Sequence, residues 1–225
     1  MGAGGYFSPA LLEFLRELAT HNDREWFRAN RSRYESDVRD PLLRFIADLG
    51  PRQESISRHL VADPRPTGGS MLRIYRDTRF SRDKSPYKIH AAAHFTTPSG
   101  GRDIHVPGFY LHLQPGQSFA AAGLWHPDPE ALRQVRDRIA HRPREWQAVL
   151  ETKLPLGGAR LSRPPKGYDA GHPFVEDLKR KDFITSARFS DRQVCGARFL
   201  ADYVETCRRM SPLMAFLTKA VGLAW

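Results

Sequence analysis

Apolar residues recur at helical spacing over the first fifty residues of the chain. Ser8-Pro9 has the form of a helix N-cap followed by proline, and a stripe of leucine and phenylalanine continues from there to about residue 20. Residues 22–25 have the spacing of a capping box, and Asp40-Pro41 begins a further apolar stripe that Gly50-Pro51 should end. The pattern predicts a helical hairpin whose aromatic face needs a sheet to cover it.

Alternating patterns in the middle of the chain predict four strands, at about 71–76, 87–96, 108–114 and 117–125. Residues 63–70, which include Gly68-Gly69, should form a loop that leads into the first strand, and a longer loop is predicted at 97–107. One face of the sheet should be buried, with a core that includes Ile89, Phe95, Phe109, Leu111, Phe119 and Trp125. The other face has no carboxylate and carries alanines among polar and aromatic side chains, namely Tyr75, His90, His94, Tyr110 and His112. Because alanines leave room for a ligand or a helix, we expect a partly covered polar cavity there. A plainly solvated face is the alternative.

The last hundred residues return to helical spacing. Helices are predicted after Asp128-Pro129, from Pro143 and from Pro173, with a loop-rich stretch over residues 155–172. A capping box at Ser190 should begin the last long helix, which is interrupted at Ser211-Pro212 and continues to about residue 223. No repeat or linker of domain-separating composition is visible. We therefore predict one α+β domain over residues 1–225, with a mostly antiparallel sheet of four or more strands packed with N- and C-terminal helices.

The predicted hairpin over residues 71–96 is unusually rich in cations. Two carboxylates, Asp77 and Asp83, lie among six cations, which are Arg73, Arg76, Arg79, Arg82, Lys84 and Lys88. A hairpin tip needs glycine, asparagine or aspartate for its turn, and it has no need of several guanidinium groups. The planar guanidinium fork of arginine suits phosphate and carboxylate. We therefore expect these cations to serve an anion, either inside the protein or outside it.

Two interpretations of the hairpin remain open. In the first, an anionic ligand is bound by Arg73, Arg76, Arg79, Lys84, Tyr87 and Lys88, with Asp77 and Asp83 orienting the guanidinium groups. In the second, the same charges form an internal ion network that holds the loop against the helices. Asp77, Asp83 and Tyr87 are also weak candidates for acid–base catalysis, because an aspartate among arginines stays ionised but loses basicity.

The hairpin also carries a sequence signature. The eight fixed positions of this signature are Arg73, Arg76, Asp77, Arg79, Phe80, Asp83, Lys84 and Tyr87. In this pattern the chain resembles the family called domain of unknown function 2461. The resemblance implies a single-domain protein of about this length, and it marks these eight residues without assigning roles to them.

Metal and cofactor sites are not predicted. His90, His94 and His112 should share one face, but that face has no carboxylate, and His90 and His94 would be roughly 13 Å apart along an ideal strand. The nucleotide-binding, nucleophile-elbow and zinc-protease motifs are absent from the sequence, so we expect no cofactor.

Charge decides which partners are expected. The chain of 225 residues has a formal net charge of +10 and a pI near 10.0, which favours anionic partners. Basic loops at 76–88 and 160–168 and the run 179–181 make nucleic-acid backbone a possible partner, although no base-reading motif is present. No apolar run reaches membrane-spanning length and no secretory signal is visible, so we expect a cytoplasmic protein without a membrane partner.

The function predicted from the sequence is therefore binding of a phosphorylated or carboxylated small molecule on the 73–88 hairpin, with or without a reaction on it. The alternatives are a non-specific nucleic-acid-binding module and a scaffold protein whose arginine loop is an internal ion network. The sequence makes no prediction of oligomeric state.

Overall fold

Helices form both ends of the chain, and a sheet lies between them. The computed structural model describes residues 5–98 and 105–225, so the predicted loop at 97–107 lies partly outside the described residues. The N-terminal helices are α1 (Pro9–Thr20), α2 (Arg24–Ala29), α3 (Arg31–Arg33), a π-helical stretch (Tyr34–Arg39) and α4 (Asp40–Gln53).

The predicted starts of α1 and α2 are confirmed in position, but Ser8 forms no side-chain cap and the cap of α2 is Asp23 rather than the Asn22 of the predicted capping box. One stop signal is also wrong. The Asp23 side chain caps α2 by accepting a hydrogen bond of 2.8 Å from the backbone N–H of Trp26. Proline stands in the first turn of both α1 and α4. Helix α4 continues past Gly50 with Pro51 inside it, although this pair was predicted to end the helix.

The sheet has four antiparallel strands in chain order: β1 (Ala91–Phe95), β2 (Gly108–Leu113), β3 (Phe119–Leu124) and β4 (Phe183–Arg188). This confirms the predicted α+β class with an antiparallel sheet of at least four strands. The one-domain extent over residues 1–225 stays a prediction. Strand β4 was not predicted from the sequence, and it pairs with β3 along the whole length of both strands.

The predicted strand at 71–76 and the first part of the predicted strand at 87–96 are wrong. Residues 71–76 form only isolated antiparallel bridges, Met71 with Ala93 and Tyr75 with Tyr87. Between the two bridges there are three residues on the first arm of the hairpin, 72–74, and five on the second, 88–92. The second arm therefore contains a bulge of two extra residues. The bulge ends the regular alternation before β1, and Ile89, predicted to face the core, is exposed.

The buried face of the sheet matches the prediction on β1 and β2 only. Phe95, Phe109 and Leu111 are fully buried, as predicted. The prediction was wrong for the third strand, where Phe119 is half-buried and Trp125 is exposed. The buried residues of β3 are instead Ala120, Ala122, Gly123 and Leu124. A long C-terminal helix packs on this strand, and alanine side chains allow the helix to approach closely.

The C-terminal helices are α5 (Pro129–His141), α6 (Pro143–Glu151), α7 (Val175–Leu178), α8 (Asp191–Val194) and α9 (Phe199–Ala220). The predicted capping box at Ser190 is present, but it caps the short α8 rather than one long helix. Helix α9 begins anew at Phe199 and includes Pro212, which was predicted to interrupt it. Among the residues that the structure describes, no helix has both the length and the apolar character needed to cross a membrane.

Two apolar cores result from this arrangement. The first joins the N-terminal helices to β1 and β2, and the second lies around Trp146 and Phe183. Helix α9 belongs to both cores, since Tyr203 is buried in the first and Leu217 in the second.

Candidate functional site

The charged hairpin rests on an aromatic cluster from the N-terminal helices. The Tyr87 ring is buried and stacks on Phe27 with 4.1 Å between ring centroids. Tyr75 lies 5.3 Å from Tyr87 on the outer side of the cluster and is 53% exposed. The two tyrosines therefore position the hairpin. The sequence placed Tyr75 on one face with the histidines, but in the structure its ring lies in this aromatic cluster instead.

Charged residues at the hairpin tip pair with one another. Arg76 forms an ion pair with Asp83, and Arg79 forms one with Asp77 at 2.7 Å. The ammonium group of Lys84 donates a hydrogen bond of 2.9 Å to the backbone carbonyl of Thr78. These contacts agree with the local pairing expected of an ion network. However, the paired side chains lie at the surface and do not reach a buried core.

The two tip aspartates are strongly acidic. Hydrogen bonds from Arg79, first from its side chain and then from its backbone, lower the pKa of Asp77 from 3.8 to about 2. Hydrogen bonds from Arg76 and then from Ser85 hold the pKa of Asp83 well below its usual value. Carboxylates with such low pKa values are poor general bases near neutral pH. This geometry gives no support to Asp77 or Asp83 as catalytic bases.

Arg73 and Lys88 differ from the tip cations because neither side chain forms a salt bridge or hydrogen bond in the described parts of the chain. Arg73 lies opposite the hairpin bulge and is exposed, whereas Lys88 is half-buried. Burial, and then the nearby positive charge of Arg73, lower the pKa of Lys88. The charge of Arg73 also has a small effect on Asp77, whose carboxylate is paired with Arg79. Two neighbouring cations therefore lie at the base of the hairpin without a salt bridge to a described carboxylate.

Next to Lys88 lies a pair of histidines whose rings are in contact. The rings of His90 and His112 are 4.2 Å apart. Burial is the main cause that lowers the pKa of His90 from 6.5 to about 4, with smaller effects from His112 and Lys88. Burial also lowers the pKa of His112. Both imidazole rings are therefore neutral at physiological pH and can donate or accept hydrogen bonds.

The hydrogen bonds of His112 indicate which of its two ring nitrogens carries the proton. Its Nε2 atom is 2.8 Å from the side-chain oxygen of Gln114, which can only accept, so Nε2 carries the proton. The Nδ1 atom is then an acceptor, and the Tyr110 hydroxyl lies 3.3 Å from it. Burial raises the pKa of Tyr110 to about 12, which keeps its hydroxyl protonated. Tyr110, His90 and His112 thus form one polar group on the sheet, as the alternation predicted.

His94 lies opposite Tyr110 across the paired strands β1 and β2. Its ring packs against Gly108, where an added Cβ would lie 2.0 Å from the histidine Nε2 atom. Within residues 5–98 and 105–225, no group of three or more histidine, cysteine or acidic side chains is arranged to hold a metal ion.

A cavity that the sequence did not predict lies beside Arg73. It has a volume of about 700 Å³ and is enclosed by residues 61–73 and by the end of β1 with the residues that follow it. Arg73, His94 and Thr97 line it. The sequence signal for this cavity was the Gly68-Gly69 pair before the hairpin. From the sequence, this pair was interpreted only as part of a connecting loop.

Comparisons with known proteins give a family. Residues 10–216 match the family model described as Conserved hypothetical protein (DUF2461). No curated protein and no solved structure matches the chain. Since the family model covers most of the chain, the protein belongs to the DUF2461 family.

Proposed function

We propose that the protein binds a phosphorylated or carboxylated small molecule whose acid group lies between Arg73 and Lys88. One observation carries the proposal: these two cations are neighbours, one of them is half-buried, and neither side chain forms a salt bridge or hydrogen bond among residues 5–98 and 105–225. A partly buried charge without a partner destabilises the folded protein. Such a cost is typical of sites that a ligand neutralises.

The neighbouring neutral groups support the same proposal. His90 can donate a hydrogen bond to an anion without adding a carboxylate that would repel it. The tip cations Arg76, Arg79 and Lys84 have local partners, so they contribute positive potential rather than direct contacts. Tyr87, buried against Phe27, supports the hairpin.

Calorimetry and thermal unfolding with inorganic phosphate test this function. Phosphate should bind the parent protein and raise its unfolding temperature, because a ligand that binds only the native state stabilises it. Both effects should be lost in Lys88→Met and Arg73→Met. Arg82→Met is the matched control, because Arg82 is an exposed cation of the same hairpin and should not affect binding. Equal phosphate binding in Lys88→Met and the parent would contradict the proposal.

A second candidate function is backbone binding of single-stranded nucleic acid. The observation in its favour is Phe80, which is 94% exposed at the hairpin tip and lies 5.9 Å from the guanidinium carbon of Arg79. An exposed aromatic ring among cations can stack on bases of any sequence. This function predicts binding of mixed-sequence RNA or DNA at about 50 mM salt that weakens steeply with added salt. Binding should also weaken in Phe80→Ala, and failure to bind at low salt would exclude it.

A further inference from the structure

The outer face of the sheet lies opposite both apolar cores. Cross-strand pairing joins its residues on β2, β3 and β4, and each of them is half-buried or exposed. They are Tyr110, His112, Phe119, Ala121, Ser186 and Arg188. None of these residues belongs to either core, in which the helices pack on the other face. Within residues 5–98 and 105–225, this face is therefore the side of the sheet that the two cores leave open.

Three rings form a row across the strands on this face. The His112 ring lies between His90, at 4.2 Å between centroids, and Phe119, at 4.6 Å with the ring planes 15° apart. Phe119 ends this row of rings, and two positions along the same strand stands the small side chain of Ala121. The Tyr110 ring lies 5.9 Å from Phe119, and its strand position is opposite Ala121. A flat group therefore has room to stack at the Phe119 end of the row.

A cation lies at each end of these rings. The charge of Lys88 lowers the pKa of His90, which places Lys88 beside the first ring. Arg188 is opposite Phe119 on β4, is exposed, and its side chain forms no salt bridge or hydrogen bond within the described part of the chain. The strands β1 to β4 are separated by three inter-strand spacings, so the two ends lie roughly 14 Å apart. One phosphate group cannot contact both cations.

This arrangement suits a chain that carries repeated anions and flat groups. Aromatic rings beside cations can stack on bases of any sequence while the cations contact the phosphates. An extended peptide would instead add to a sheet edge, but both edges already carry backbone hydrogen bonds. The Leu72 N–H donates to Ala92 on β1 at 2.9 Å, and the Gly157 N–H donates to Ile184 on β4 at 2.8 Å. Base stacking on the face is therefore favoured over peptide addition at an edge.

We infer that single-stranded nucleic acid lies across the outer face of the sheet, with one phosphate at Lys88, another at Arg188 and a base stacked on Phe119. This inference rests on the second candidate function and places the bases on the sheet rather than at the hairpin tip. The proposed anion position beside Arg73 and Lys88 then receives one phosphate of the strand.

Fluorescence anisotropy with three labelled probes at about 50 mM salt tests the inference. The probes are an oligothymidylate of about 12 nucleotides, an abasic strand of the same length, and a polyglutamate peptide of the same charge. The oligothymidylate should bind the parent at least about tenfold more tightly than the abasic strand, because stacking of one base contributes that much. Polyglutamate should bind least well.

Variants at Phe119 separate stacking from charge. Phe119→Leu keeps an apolar side chain but removes the flat ring, so it should bind the oligothymidylate about tenfold less tightly and the abasic strand as the parent does. Phe119→Tyr keeps the ring and is the matched control, which should bind all three probes as the parent does.

Arg188→Met tests the phosphate contact. It should weaken binding of both strands and reduce the slope of log affinity against log salt by about 0.7, the value for one phosphate contact on a single strand. Arg192→Met is the matched control, because Arg192 is an exposed cation nearby on α8 and lies outside the row of rings. Its salt slope should equal that of the parent.

The outcomes separate this inference from the second candidate function. If the oligothymidylate binds, but either Phe119→Leu or Arg188→Met binds it as the parent does, the sheet inference is overturned. Binding at the hairpin tip then stands if Phe80→Ala weakens it. An abasic strand or polyglutamate that binds as tightly as the oligothymidylate also overturns the inference. If no strand binds at low salt, both the inference and the second candidate function fail, and phosphate binding is judged by its own experiment.

Discussion

The side-chain amide of Asn22 forms two hydrogen bonds with the backbone of Tyr87. Its nitrogen donates to the Tyr87 carbonyl at 3.0 Å, and its oxygen accepts from the Tyr87 N–H at 3.0 Å. A single side chain thus satisfies both backbone groups of Tyr87, as the backbone of a neighbouring strand would do. This contact joins the connection between α1 and α2 to the base of the charged hairpin.

Asn22→Ala should therefore destabilise the protein. It leaves the partly buried N–H and C=O groups of Tyr87 without their partner, at a cost of roughly 1–3 kcal/mol in the free energy of unfolding. Urea denaturation measures this loss. Ser32→Ala is the control, because Ser32 is exposed on α3 and should change little. Equal stability of Asn22→Ala and the parent would show that other contacts hold the hairpin.

The ion pairs of the hairpin tip should contribute little to stability. Asp83 and Asp77 have 58% and 45% exposed side chains, so solvent screens their attraction to Arg76 and Arg79. Arg76→Met and Arg79→Met should unfold at the same urea midpoint as the parent protein. A large loss in either variant would restore the sequence-based alternative of a network that holds the loop in place.

A buried ion pair elsewhere provides the contrasting case. Arg180 and Asp177 are 2.8 Å apart with side chains 6% and 13% exposed, and Asp177 also accepts a hydrogen bond from the Trp146 indole at 2.9 Å. Asp177→Ala leaves a buried guanidinium without its partner and should cost roughly 3–5 kcal/mol. Glu176→Ala breaks the adjacent pair with Lys179, in which the Glu176 side chain is 63% exposed, and should cost well under 1 kcal/mol. Similar losses in the two variants would contradict this assignment.

His90 should make the protein less stable in mild acid. Its pKa is lowered in the folded protein from 6.5 to about 4, so between these values the unfolded chain binds a proton that the native state does not. Stability from this group is present above pH 6.5 and is lost as the pH falls towards 4. Between pH 7 and 5 the loss should be roughly 2 kcal/mol. Urea denaturation of His90→Gln should show a smaller loss over this range, and an identical pH dependence would contradict the burial of the ring.

Gly123 and Gly116 should respond differently to alanine. At Gly123, φ is +137° and an added Cβ would lie 2.0 Å from the Phe183 carbonyl oxygen, between paired strands β3 and β4. Gly123→Ala should therefore cost at least about 2 kcal/mol, and the strands must separate to accommodate it. Gly116 also has positive φ, at +68°, but faces open space, so Gly116→Ala should cost only about 1 kcal/mol. Thermal unfolding of the two variants measures the difference between their losses of stability. Equal losses would show that β3 and β4 are not closely paired.

Local patterns were sufficient to predict the N-terminal helices and the buried residues of β1 and β2. Apolar stripes and helix caps depend on residues that are close together in sequence. The alternation that places Phe95, Phe109 and Leu111 on the buried face is regular. The face of β3 could not be predicted in this way. Phe119 was expected inside because of its size, but the close approach of α9 favours the small side chains of Ala120 and Ala122.

The site depended still more on tertiary structure. The hairpin sequence identified six cations, but the pairing that separates Arg73 and Lys88 from the others arises from the bulge and from local contacts at the tip. Thr97 carried no signal at all, because its position in a cavity wall depends on the fold of residues 61–73. Strand β4 begins just after the charged run 179–181. Because of that run, the short alternating pattern of β4 was not recognised as a strand.

The position of helix α9 in both cores affects how the protein responds to proteolysis. Because Tyr203 and Leu217 are buried in different cores, a single cut between them would separate the helix into pieces that each core needs. Neither core would retain its own complete set of apolar contacts, and both would expose surface that chaperones and proteases recognise. One cleavage between Tyr203 and Leu217 should therefore destabilise both cores, and with them the hairpin that carries the proposed binding site.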